Sequence, residues 1–61
     1  MPELTIEMVE GRTLEQKREL VRRLTEVVVD VCKVDPSAVT IVIHENRRED
    51  KAKGGVLFLD R

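Results

Sequence analysis

The 61 residues carry 11 basic and 12 acidic side chains, and the formal net charge of −1 excludes the basic excess that nucleic-acid binding requires. One cysteine, Cys32, excludes an internal disulfide. One histidine, His44, leaves no zinc-ligand spacing, and no apolar run approaches the roughly 20 residues of a membrane span.

A chain of this length buries only about 60% of the surface that its unfolded form exposes. One domain over residues 1–61 is therefore expected to complete its core by self-association, the remaining route once disulfides and metals are set aside. Phe58 is the only aromatic residue, so the core must be built from aliphatic side chains. Glu3, Glu7 and Glu10 interrupt the N-terminal segment, which does not read as a signal peptide; the expected compartment is the cytoplasm.

Pro2 heads the chain's chemistry. Removal of Met1 turns its nitrogen from an amide into a secondary amine, able to act as a base or a nucleophile. A free α-amino group has a reference pKa of about 7.7 to 8.0, and burial or a neighbouring cation lowers it further, toward the range where general bases work.

Residues 3–9, ELTIEMV, alternate Leu4, Ile6 and Met8 with Glu3, Thr5 and Glu7, the period of a strand. Glu10-Gly11-Arg12 breaks the pattern. Thr13 with Gln16 reads as a capping box, with Glu15 favourably placed at the positive end of a helix. The helix is expected from about Leu14 to Lys33, with Leu20, Leu24, Val27, Val28 and Val31 as its apolar stripe. Asp35-Pro36 marks a loop.

Residues 38–44, AVTIVIH, form a β-branched apolar run expected to be a second strand, parallel to the first and covered on both faces or nearly so. Strand, helix and strand make a right-handed βαβ unit. Glu45 to Lys53 reads as a polar loop; Gly54-Gly55 permits a tight turn into a short terminal strand over Val56 to Leu59. One helix covers one sheet face only. The other face, with Val9, Val39 or Val42 type side chains, is expected to be a subunit interface.

An N-terminal Pro2, the Glu10-Gly11-Arg12-Thr13 turn with Glu15-Gln16-Lys17, a second strand ending in Ile43-His44-Glu45, and Gly54-Gly55 before a terminal strand resemble the 4-oxalocrotonate tautomerase family over essentially the whole chain. The resemblance implies an α/β subunit assembled as a homohexamer, a trimer of dimers, with active sites at subunit contacts. It implies an isomerase without metal or cofactor, interconverting enol and keto forms of a small 2-hydroxy or 2-oxo acid. Pro2 is then the catalytic base and Arg12 the cation that holds a carboxylate or polarises the keto oxygen; a guanidinium suits both tasks.

Two positions depart from the family pattern. The second arginine that the family carries on its second strand falls on Thr40, and its pocket aromatic falls near Lys51. Arg47, Arg48 or Lys51 in the polar loop are candidate replacement cations, with Arg47 and Arg48 taken as substrate-binding; a solvated loop of balanced charge is the simpler reading of that segment. Two rival functions stand beside the tautomerase reading: hydration or dehalogenation of an unsaturated acid by a protonated Pro2, and a non-catalytic oligomeric binding module. His44, with no partner suggested by spacing, is expected to be structural or superficial, and Cys32 to pack as a small hydrophobe.

Overall fold

The parallel register of two strands organises the structure, a computed structural model that describes all 61 residues. Strand β1 (Glu3–Val9) pairs with β2 (Thr40–Asn46), from Glu3 opposite Thr40 to Val9 opposite Asn46. Helix α1 (Leu14–Cys32) makes the crossover. The expected βαβ unit is thus present.

Each boundary has a local cause. Thr13 accepts from the backbone N–H of Gln16 at 3.1 Å, while the Gln16 side chain accepts from the Thr13 N–H at 2.9 Å, completing the capping box. Thr13→Ala removes one half of it and is expected to destabilise the protein by about 1 kcal/mol; urea unfolding at fixed protein concentration measures this. The helix ends one residue earlier than expected, because Lys33 takes a left-handed conformation, φ 57°, and donates its N–H to the Val29 carbonyl at 3.0 Å.

β2 begins at Thr40, two residues later than the sequence pattern suggests. Asp35 accepts from the Ser37 N–H at 2.9 Å and, with Pro36, drives Pro36–Ala38 into a 3-10 turn that consumes the start of the apolar run. The strand continues through His44 and Glu45 to Asn46. The expected polar loop is therefore shorter, and it contains a 3-10 turn at Arg48–Asp50 and strand β3 (Ala52–Lys53). Gly54 and Gly55, at φ 61° and 83°, link β3 to the antiparallel β4 (Val56–Leu57). Two consecutive positive φ values are the backbone demand that a Gly-Gly pair meets. A last 3-10 turn, Phe58–Asp60, replaces the outer half of the expected terminal strand.

The helix stripe is rotated from its expected position. Leu20, Val21, Leu24, Thr25, Val28 and Val29 are half-buried, whereas Val27 and Val31 are 58% and 71% exposed. Thr25 is accommodated among apolar neighbours by donating its hydroxyl to the Val21 carbonyl at 2.7 Å. Cys32 is also exposed; packing it as a core residue is corrected by its place beside Val31, outside the inward arc.

The sheet face away from Leu4, Ile6 and Met8 is equally instructive. Thr40 and His44 on β2 are exposed, so within the protomer the strand is covered on one face only. The open face carries Glu3, Thr5, Glu7, Thr40, His44 and Asn46, with Val9 and Val42 its only aliphatic residues. It is more polar than expected.

No residue of the protomer is fully buried. Its accessible surface is 4792 Å², against about 4,000 Å² for a folded monomer of this mass. The radius of gyration is 14.7 Å, against about 10.5 Å for a globule of this length. These residues form a slab of 43 × 23 × 13 Å whose apolar side chains all retain solvent contact. No helix is long and apolar enough to cross a membrane.

Candidate active site

Pro2 precedes β1 and Arg12 follows it. The Thr40 N–H donates to the Pro2 carbonyl at 3.1 Å, which fixes Pro2 to the head of the sheet while its nitrogen stays outside the ladder. Pro2 is half-buried and Met1 is 95% exposed. At the other end, the Glu10 N–H donates to the Asn46 carbonyl at 2.9 Å, and Gly11, at φ 123°, turns the chain so that Arg12 leads into the helix.

Seven strand residues separate these ends, roughly 20 Å at about 3.3 Å per residue. One protomer therefore does not bring Pro2 and Arg12 together. The length of the alternating segment is the sequence signal for this separation.

Arg12 lines a groove of about 220 Å³ with Met8, Gln16, Lys17 and Leu20. The capping box holds the first helical turn, and the turn at Gly11 presents the guanidinium beside it. Arg12 makes no ion pair within the protomer. A second cation on the groove wall, Lys17, pairs with Glu45 of β2; neither residue stood out in the sequence as a site residue. Apolar Met8 and Leu20 with an unpaired guanidinium suit a small organic anion.

Arg47 and Arg48 follow the end of β2 and so lie at the Arg12 end of the sheet. Arg47 donates from Nε to Asp50 at 2.7 Å and lies 3.5 Å from Glu49. The Asp50 contact raises its already high pKa, with a smaller contribution from Glu10. Arg47 is thus occupied by its own turn, whereas Arg48 has no ion pair. Lys51 stands 5.4 Å over the Phe58 ring, and Arg61 stands at the same distance. Lys51 thereby anchors the terminal segment through a cation–π contact.

His44 has the partner that spacing did not reveal. The parallel register sets it opposite Glu7, and its Nδ1 donates to Glu7 Oε2 at 2.7 Å. Asn46 adds a longer bond to Glu7 Oε1 at 3.4 Å. These contacts, His44 first, hold the Glu7 carboxyl below its ordinary value of 4.5. A depressed carboxylate stabilises the fold above that ordinary value and loses its contribution as pH falls through the lower folded value. Glu7→Gln is therefore expected to flatten this part of the acid limb below pH 4.5, as read by urea midpoints against pH; an unchanged limb would mean that the pair carries no linkage.

Comparison with known proteins agrees with this architecture. The sequence model of the Tautomerase enzyme family matches residues 2–61. A Bradyrhizobium diazoefficiens protein named as a probable tautomerase is 46% identical over all of this chain and 91% of its own. The 2-hydroxymuconate tautomerase of Bacillus subtilis is 40% identical over 98% of this chain and 97% of its own. Among solved structures, a 4-oxalocrotonate tautomerase homologue superposes with a TM-score of 0.94 at 44% identity, covering 100% of this chain and 97% of that one. A heterohexameric 4-oxalocrotonate tautomerase from Chloroflexus aurantiacus J-10-fl gives 0.90 at 33% identity, covering 98% and 97%.

The fold and its relatives define an isomerase of the small α/β type. This chain belongs to the tautomerase family.

Proposed function

We propose that the protein interconverts the enol and keto forms of a small 2-hydroxy or 2-oxo acid, with Pro2 as the base after removal of Met1. The observation that carries this reading is the setting of Pro2. Its carbonyl is fixed by Thr40, its nitrogen lies outside the sheet bonding, and the methionine that masks that nitrogen projects into solvent.

The free amine accepts the proton of the enol hydroxyl, the C–O π bond forms as the C=C bond is lost, and the prolinium returns a proton to carbon. No electrons are gained or lost overall. Arg12 holds the substrate carboxylate with its planar fork, and apolar walls strengthen that attraction by displacing water.

Because Pro2 and Arg12 stand at opposite ends of β1, the reading requires Pro2 of one protomer to meet Arg12 of another. Self-association is supported by the absence of any buried residue and by the exposed Val27, Val31 and Leu59. A homohexamer, a trimer of dimers, is the assembly we propose. Arg48 is the better placed of the two loop arginines for a supporting contact, since Arg47 is tied to Asp50.

Intact mass paired with turnover of the enol form of phenylpyruvate tests the reading. Protein lacking Met1 is expected to be active, and protein retaining it inactive, because an amide nitrogen has no basicity. Equal turnover by both forms would exclude Pro2 as the base.

A further inference from the structure

Lys17 and Glu45 form the least exposed ion pair of the protein, with side chains 26% and 32% exposed. The other pairs are more open, and most of them lie along the helix surface. The Lys17–Glu45 pair instead ties the first turns of α1 to β2, and Lys17 shares the wall of the groove with Arg12. Two cations and one carboxylate leave that groove with one net positive charge. The charge of the groove is therefore set by Glu45, a residue that does not itself line it.

We propose that Glu45 is a specificity-determining positioning residue, which pairs Lys17 and so matches the Arg12 groove to a single carboxylate. The inference rests on the reading of Arg12 as the carboxylate anchor and adds to it the number of negative charges that the groove accepts. A second carboxylate near Arg12 finds Lys17 already neutralised. Freeing Lys17 turns the same groove toward dianions, with no change in its shape.

The test uses the assembled protein without Met1 and reads dissociation constants by NMR titration, which require no turnover. The probes are phenylpyruvate, with one carboxylate, and fumarate, with two. Glu45→Gln, an isosteric change that raises the groove charge by one, is expected to tighten phenylpyruvate binding about threefold and fumarate binding about tenfold, the scale of one charge at a partly exposed site. Lys17→Gln leaves Glu45 opposing Arg12 and is expected to weaken both by similar factors. The double variant Lys17→Gln with Glu45→Gln restores the wild-type charge and is expected to restore wild-type binding.

A merely structural salt bridge predicts another order, in which Glu45→Gln weakens binding and the double variant recovers nothing. That result overturns the proposal, as does equal tightening for the two probes. The comparison of Lys17→Gln with the double variant decides the matter even if Glu45→Gln alone fails to assemble. Arg12→Gln separates the two levels of the argument. Unchanged binding in that variant refutes Arg12 as the anchor, whereas weakened binding without the expected charge order refutes only the role of Glu45.

Discussion

Pro2→Ala, in protein free of Met1, is expected to lower kcat/KM for an enol acid by about 100-fold while the assembly stays intact. A positioned general base contributes typically 10²- to 10⁴-fold. The alanine variant keeps a primary α-amine, so its loss belongs at the lower end of that range. The backbone bond that fixes this residue, from the Thr40 N–H to the residue-2 carbonyl, does not depend on the side chain. Unchanged turnover in the variant would remove Pro2 from the mechanism and favour a non-catalytic oligomeric module.

Arg12→Ala is expected to have an effect of comparable size, for a different reason. Hydrogen bonds to a charged group contribute about 1.5 to 3 kcal/mol, so losing the carboxylate fork should cut kcat/KM by about 10- to 150-fold. Most of that loss should appear in KM if the guanidinium holds the carboxylate equally in ground and transition states. Arg12→Lys should recover part of it, because an ammonium keeps the charge but loses the planar fork. The variant should fold normally, since Arg12 has no ion pair to lose within the protomer. Arg47→Ala is the useful contrast: its guanidinium is held by Asp50, and its removal is expected to leave KM near the wild-type value.

Much of the fold was legible because its signals are local. The alternation of Leu4, Ile6 and Met8, the Thr13 to Gln16 capping box and the Gly54-Gly55 turn each specify backbone geometry from neighbouring residues, and each is present in the structure. The errors arose where local patterns compete. Val27 and Val31 fit a helical period as well as Val28 does, and only the sheet decides which arc faces inward. Ala38 opens an apolar run by sequence, yet the Asp35 cap and Pro36 draw it into a turn.

The candidate site was legible in its residue types and much less so in its geometry. The resemblance pairs Pro2 with Arg12 at a subunit contact without giving their positions, and the seven-residue strand between them places them at opposite ends of a protomer. The Glu7 to His44 contact and the Lys17 to Glu45 pair span long stretches of sequence. Their visibility depends on the strand register and on the helix's seat across the sheet, neither of which spacing along the chain reveals. Once Glu3 is paired with Thr40, the opposition of Glu7 and His44 follows from the parallel register.

The central claim is that the unmasked nitrogen of Pro2 works as a free base. The most direct measurement is an NMR titration of the ¹⁵N-labelled Pro2 amine in the assembled protein, set against the pH profile of kcat/KM for the enol form of phenylpyruvate. The account predicts that the amine titrates below the ordinary α-amino range and that activity rises with pH along the same curve. An amine that stays protonated through neutrality, with activity falling as it loses its proton, would contradict the account and point to Pro2 as an acid.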